Sequence, residues 1–342
     1  MLDFVDSIPG GICLKVLIFG SQARYQAYQP DFVAQLPVEP VFCPIDQPLH
    51  EAAARHPDAQ ALFVDAITPV DRAMMELLPQ LKLIHSEGVA FNRIDLEAAR
   101  ERGIFVCNNK GCNAASVAEH TVMLMLMALR HGITGHNAVK AGQQITMKED
   151  VMASDSPELG LCTVGLVGFG DIAQATARRL QPFGCPIYYY APHRRSEEVE
   201  QDFGVTYLPL EELAARCDIL SLHCAVTDET REMVNADLLS KMKPTAILVN
   251  TARGDLLDNQ AVRQALMEGR LGGIAVDTLA PEPTPADHPL VDLPPEVQDR
   301  AIYSPHLGGI TGGSFRRAHA NMWNSLRLVL EGKRPNFIVN GL

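Results

Sequence analysis

The chain has 342 residues, 47% of them hydrophobic and 20% charged, with 29 Lys and Arg against 41 Asp and Glu for a formal charge of −12. That length suggests two domains at about 150 residues each, and the composition excludes disorder and collagen-like repeats. No block of basic residues occurs, so nucleic acid and anionic membrane surfaces lack an electrostatic basis as partners.

From Leu14 onward, strand-like and helix-like segments alternate almost to the end, the pattern of an α/β fold with parallel sheets. In the first third, Lys15–Gly20, Ala61–Val64, Leu83–His85 and Phe105–Cys107 read as strands, and Leu96–Arg102 as a helix closed by Gly103. Ser116 followed by Glu119 has the spacing of a capping box. It would open a helix over Val117–Leu129, apolar on nearly every face and therefore expected between layers, as a connector of domains. Residues 130–160 show no clear period and read as a long excursion that serves as an oligomer contact. Alternation then restarts with apolar strands over Cys162–Val167, Ile187–Tyr190, Ile219–His223, Ala246–Asn250 and Gly273–Asp277. A last helix is expected from about Gly313 to Leu330, followed by an extended Asn336–Asn340.

The longest apolar run, Val122 to Leu129, is far short of the roughly 18 residues that cross a bilayer. The first residues carry two acids and no cationic region before an apolar core, so no secretory signal and a cytoplasmic location are expected. The eight cysteines are then reduced thiols, several buried as small hydrophobes. Their spacing gives no zinc signal, and no metal is expected.

Thr163–Val167 runs into Gly168-Phe169-Gly170-Asp171-Ile172-Ala173 and then into helical Gln174–Leu180. The pattern G-x-G-x-x-A is weak as a string. It gains weight from the apolar strand before it, the amphipathic helix after it and the second strand that follows. In that setting Gly168 makes the tight turn, Gly170 lets a pyrophosphate approach the backbone, and Ala173 keeps helix and strand close. The second strand ends Tyr190-Ala191-Pro192-His193-Arg194-Arg195. An NAD site normally has Asp or Glu there to hold the ribose 2′-hydroxyl. Ala191 removes that carboxylate and its repulsion of a 2′-phosphate, while Arg194 or Arg195 would attract one. NADP is therefore expected over NAD.

Three later segments each follow a predicted strand: Asn250-Thr251-Ala252-Arg253-Gly254, Asp277-Thr278-Leu279-Ala280-Pro281-Glu282-Pro283, and Ser304-Pro305-His306-Leu307-Gly308-Gly309. Ligands of open parallel sheets bind beyond the carboxyl ends of strands, where an arginine, a carboxylate and a histidine can converge. This series, after a G-x-G-x-x-A turn, resembles the D-isomer-specific 2-hydroxyacid dehydrogenases. The similarity spans nearly the whole chain, including Ser86–Asp95, Asn113–Glu119 and His223–Thr230.

The resemblance implies two Rossmann-like domains of parallel sheets with helices on both faces, and an active site in the cleft. The substrate domain would be discontinuous, 1–112 with 312–342, and the dinucleotide-binding domain would be 113–311. It implies hydride transfer between a nicotinamide and a small 2-keto acid or its D-2-hydroxy acid. His306 is the expected general acid or base, Glu282 the carboxylate that steadies its imidazolium, and Arg253 the partner of the substrate carboxylate and keto oxygen. The backbone amides of Val89 and Ala90 would hold the other side of that carboxylate. The cofactor would be lined by Val117, Gly168, Gly170, Asp171, Ile172, Cys224, Ala225, Thr230, Thr251, Ala252, Arg253, His306 and Gly308, with Arg194 and Arg195 at the ribose. Asp277 is expected as a cofactor-side or structural carboxylate. The remaining histidines, His85, His120 and His223 among them, are expected to be structural.

Three positions depart from the family pattern. Ala90 stands for a second glycine, Ala225 for a proline whose loss would free its loop, and Ala191 for the acidic residue. The pocket walls, from Asp65–Ile67, Glu87–Phe91 and Leu307–Phe315, read as mostly small or apolar. Glyoxylate, hydroxypyruvate and modestly apolar 2-keto acids all fit. A homodimer is the family's expectation. The competing reading is a dinucleotide-sensing corepressor-like binding protein of the same fold; the acidic charge and the end of the chain soon after Val339-Asn340 speak against it. Formate enzymes of this fold would have Gln where Glu282 stands.

Overall fold

The computed structural model describes residues 13–44, 47–154 and 156–342. The chain forms two compact units, one from the residues up to Asn113 together with Gly312–Leu342, the other from Ala114–Thr311.

The first unit holds strands β1 (Leu14–Phe19), β2 (Val38–Cys43), β3 (Ala61–Val64), β4 (Leu83–Ser86) and β5 (Phe105–Cys107). They pair in parallel in the order β2-β1-β3-β4-β5. Side chains alternate between two cores, as the strand period requires. Leu17, Phe19, Leu62 and Val64 face one. Val16, Ile18, Ala61 and Phe63 face the other, where Met322, Trp323 and Leu326 of the helix Gly312–Leu330 complete the packing. The extended segment near the end of the chain joins this sheet through an antiparallel bridge from Ile338 to Cys107. β2 has no counterpart in the sequence reading: Glu39 and Pro40 break its apolar pattern, which only an edge strand tolerates.

The second unit holds β6 (Val164–Val167), β7 (Ile187–Tyr190), β8 (Val205–Tyr207), β9 (Ile219–Leu222), β10 (Ile247–Asn250), β11 (Gly273–Val276) and β12 (Ala301–Tyr303). Their order, β12-β11-β10-β9-β6-β7-β8, is all parallel and reverses direction between β6 and β9. This is the doubly wound order of a dinucleotide-binding sheet with one strand added. Leu248 and Ile274 point into one core and Val249 and Ala275 into the other, so helices cover both faces.

Two local expectations are corrected. The helix begins at Ala114, not after Ser116. The two alanines before Ser116 are strong helix formers, and Ser116 lies inside the first turns, its Oγ 2.7 Å from Thr311 Oγ1. Glu119 accepts from Arg179 Nη2 at 2.9 Å rather than closing a capping box. Residues 130–160 are no irregular excursion. They form helices over Gly132–Lys140 and Gln144–Ala153. The second buries none of its residues within the chain, so it has no apolar stripe from which a period could be read. No helix among the described residues is long and apolar enough to cross a membrane.

Candidate active site

β10, β11 and β12 are neighbours in one parallel sheet, so the loops leaving their carboxyl ends lie side by side. Arg253 follows β10, Asp277 and Glu282 follow β11, and His306 follows β12. Asn250 shapes the first loop: its amide donates to Arg253 O at 2.9 Å and its Oδ1 accepts from Ala252 N at 3.0 Å. Gly254 shows why the next position admits no side chain, since a Cβ there would stand 2.2 Å from Ala280 N. Arg253 itself is exposed. Its Nη1 donates to Ala252 O at 2.6 Å, and the other guanidinium donors make no bond among the described residues.

His306 pairs with Glu282, its Nδ1 lying 2.9 and 3.0 Å from the two carboxylate oxygens. Both side chains are open to solvent, at 40% and 57% exposure. His306 adopts a left-handed backbone, φ 56°, and its amide donates to Asp277 O at 2.9 Å. The ring is thus fixed from one nitrogen, and Nε2 has no partner among the described residues.

Asp277 turns out to be the organiser of this loop. It is buried, and it accepts from Leu307 N at 2.8 Å and Gly308 N at 2.9 Å, with His120 Nε2 at 3.2 Å. Burial raises its pKa. The bonds from His120, Ser304 and the two amides outweigh that and bring it down to about 2. The structural alternative for Asp277 is therefore the one the geometry supports. Gly308 lies so close to it that a Cβ would stand 2.8 Å from Oδ2. His120, structural on the sequence reading, is the second hand on this carboxylate, and Ser304 joins them at 2.8 Å.

The glycine turn after β6 behaves as its spacing suggests. Gly168 has φ 95°, and a Cβ there would stand 2.8 Å from the His223 carbonyl. Gly170 is exposed and would meet nothing within 4 Å, which leaves room above the turn for a diphosphate. It caps the helix Asp171–Leu180 with no side-chain bond to the first amides, so these remain available to an anion. Ile172 lies in that first turn. Thr251 and Val117 meet inside the fold through Thr121, whose Oγ1 lies 2.9 Å from Thr251 Oγ1 and 2.8 Å from Val117 O. Ala225 does not free its loop: Thr230 Oγ1 donates to Ala225 O and accepts from Thr227 N, both at 2.7 Å. Cys224 packs its Sγ on Met233 Sδ at 3.7 Å.

The two arginines after β7 differ. Arg194 makes a bidentate pair with Glu200, 2.8 Å at each contact, and Glu200 also accepts from Tyr189 Oη at 2.8 Å. Arg195 turns the other way, its Nη2 donating to Phe169 O in the glycine turn at 3.1 Å. Ala191 is buried beside them.

In the first unit, the Gly88–Ala90 loop turns its carbonyls inward. Asn109 N donates to Gly88 O at 3.0 Å, Asn108 Nδ2 to Val89 O at 2.7 Å, and Ser86 Oγ to Ala90 O at 2.7 Å. The amides of Val89 and Ala90 have no acceptor among the described residues. Sequence reasoning assigns Asn108, Asn109 and Ser86 no such role; asparagines directly after a buried strand, and Ser86 at the head of the Ser86–Asp95 similarity, are the available signals. One wall also differs from expectation. The Asp65 and Glu87 region is not mostly apolar but carries a partly buried charge network with Arg24 and His319.

Comparison with known proteins agrees with this architecture. Residues 122–308 match the model of the D-isomer specific 2-hydroxyacid dehydrogenase NAD binding domain. A glyoxylate reductase of Thermofilum pendens is 35% identical over 283 residues, 83% of this chain and 82% of that protein. One from Pyrococcus furiosus is 35% identical over 288 residues, 83% of each chain. The crystal structure of the TT0316 protein from Thermus thermophilus superimposes with a TM-score of 0.79 at 31% identity, covering 95% of this chain and all of that one. The chain belongs to the D-isomer specific 2-hydroxyacid dehydrogenase family, as an oxidoreductase that carries the family's NAD-binding domain.

Proposed function

We propose that the protein reduces a small 2-keto acid, of the size of glyoxylate or hydroxypyruvate, to the D-2-hydroxy acid, with NADPH preferred over NADH and His306 as the proton donor. The observation that carries this reading is the His306–Glu282 pair, 2.9 Å apart on the Nδ1 side with Nε2 open. Glu282 holds Nδ1 as the protonated nitrogen, so Nε2 is the one that gives a proton to the keto oxygen and takes it back in the reverse direction. The glycine turn and the open helix start at Asp171 fit a dinucleotide diphosphate, and Thr251, Ala252, Val117 and Gly308 would line its nicotinamide end. Bound there, the reduced nicotinamide supplies the hydride that the keto carbon accepts. Arg253 neutralises charge on the substrate carboxylate and on the developing oxyanion, for which its unpaired donors are suited. The first unit serves as substrate domain, where the amides of Val89 and Ala90 are available to a carboxylate, and the second serves as dinucleotide-binding domain.

The preference for NADPH rests on Ala191 and on Arg195, which reaches the glycine turn. Arg194 acts through Glu200 as a buttress. A cytoplasmic enzyme suits the eight free cysteines. A homodimer, joined through Val117–Leu129 and the helices of 130–160, would cover Met123, Ile133, Val139, Ile145 and Met152, which are 41–73% exposed; light scattering at micromolar concentration should give twice the chain mass, and the monomer mass would refute it. The function is tested by substituting His306→Ala and measuring keto-acid reduction. A fall in kcat of about 10²–10⁴ is expected, and a change within about threefold would remove the histidine from the reaction. A protein that binds NADPH but turns over no 2-keto acid would favour the corepressor-like reading.

A further inference from the structure

The carboxyl edge of the first sheet carries polar side chains that the reduction does not use. Arg24, in the helix Gln22–Tyr28 that follows β1, donates from Nε to Glu87 Oε1 at 2.8 Å. Its Nη2 reaches Glu87 Oε2 at 2.5 Å and Asp65 Oδ1 at 2.6 Å. On the far side of Glu87, His319 Nε2 lies 2.9 Å from Oε1. Glu87 and His319 are buried, whereas the Arg24 and Asp65 side chains keep 27% and 25% of their surface. The network therefore opens outward through Asp65 and Arg24.

Its place in the fold points to a ligand. Arg24 follows β1 and Asp65 follows β3, the adjacent pair at which the order β2-β1-β3-β4-β5 changes direction, and crevices at such points are where open sheets bind ligands. Glu87 belongs to the loop that offers the unpaired Val89 and Ala90 amides. A Cβ on Gly88 would stand 2.7 Å from Ala66 Cβ, so the turn carrying Asp65 lies directly against that loop. Asp65 therefore borders the turn whose amides are proposed above to take the substrate carboxylate.

Resting on that reading, we propose that Asp65, oriented by Arg24, is a specificity-determining residue that hydrogen-bonds a neutral hydroxyl on C3 of the keto acid and turns away substrates with a carboxylate there. Arg24 Nη2 holds Asp65 Oδ1 and Glu87 bonds the same carboxyl group, so the lone pairs left over at its exposed quarter are the outward polar edge of the network. A C3 methyl would desolvate it without return, and a second carboxylate would meet a like charge. Burial, reinforced by the bond and charge of Glu87 and opposed by Arg24, pushes Asp65 up to about 7. The groups facing it are Arg24 and Glu87, with Tyr25 and His319 behind them. Tyr25 is held neutral by burial. A hydroxyl can pair with either form of Asp65, as donor to the carboxylate or acceptor from the acid. Only the carboxylate repels a second anion.

The test compares kcat/KM for hydroxypyruvate, 2-oxobutanoate and oxaloacetate, each as a ratio to glyoxylate, which has no C3. The wild-type protein, Asp65→Asn and Asp65→Ala are measured from pH 6 to pH 8. The hydroxyl-bearing acid should exceed the methyl isostere by about tenfold, and Asp65→Ala should bring the two within about twofold. Discrimination against oxaloacetate should grow as pH rises through about 7 in the wild type and stay flat in Asp65→Asn. Equal ratios in wild type and Asp65→Ala, or a flat wild-type pH profile, overturn the inference while glyoxylate turnover still upholds the reaction. The pH arm needs no substitution, so an Asp65 variant that fails to fold leaves the idea open to refutation. Absence of turnover with every keto acid and both nicotinamides defeats the parent reading and this one together.

Discussion

The carboxyl edges of the two sheets are built on opposite electrical plans. In the second sheet the charges that would act on substrate, Arg253, Glu282 and His306, stand in solvent, and the buried carboxylate beside them, Asp277, is ringed by amides and His120. In the first sheet the network is rooted in the interior: buried Glu87 lies between half-buried Arg24 and buried His319, with Asp65 leaning on the same guanidinium. An edge of the first kind keeps its reactive groups free to exchange protons. An edge of the second kind holds a loop still and makes its stability depend on every partner being present.

The contrast can be broken most sharply at Arg24. The Arg24→Met substitution leaves Glu87 buried without its cation and should cost about 3–5 kcal/mol of folding stability by urea titration; a loss below about 1 kcal/mol would mean that the network is solvated like the other edge. Asp277→Asn is the matching change in the second sheet. With 3.8 as the ordinary value and about 2 in the fold, the carboxylate contributes about 2.5 kcal/mol. That contribution is present above pH 4 and lost as pH falls toward 2, and the variant's melting temperature should lack this acid limb. Asp65 has the reverse sign. Its folded value lies above 3.8, so its contribution is complete at low pH and lost as pH rises to about 7. The smallest effect expected concerns the arginines after β7. Arg195→Ala should weaken NADPH binding about tenfold with little change for NADH, and Arg194→Ala should do less. Equal losses would show that the Glu200 pair does not set Arg194 apart.

How far the sequence can be read follows the same division. Arg253, Glu282 and His306 sit in loops whose residue types serve chemistry, and strings such as Asn250–Gly254 and Ser304–Gly309 keep their meaning out of context. The buried strands are legible because nearly every residue in them is apolar. Arg24, Asp65, Glu87 and His319 come from four distant segments, and only folding brings them together; each alone resembles an ordinary surface residue or core histidine. The helices Gly132–Lys140 and Gln144–Ala153 escape a sequence reading for a related reason, since most of their apolar residues remain exposed in the single chain and so mark no inner face. Asp277 is ambiguous in sequence because a carboxylate after a strand can serve a ligand or a loop, and its bonds to the Leu307 and Gly308 amides appear only once the chain is folded.

The helix Gly312–Leu330 places Met322, Trp323 and Leu326 in a core whose strands come from the opposite end of the chain. During synthesis, Leu14–Phe19 and its neighbours leave the ribosome first, yet their sheet lacks part of its covering until Trp323 emerges. The intervening Ala114–Thr311 takes about 10–40 s to make at ordinary elongation rates. Throughout that interval the earliest strands wait with one apolar face only partly covered, by Tyr25 and Val33, a natural client for chaperones, while the later-born sheet is free to fold ahead of them.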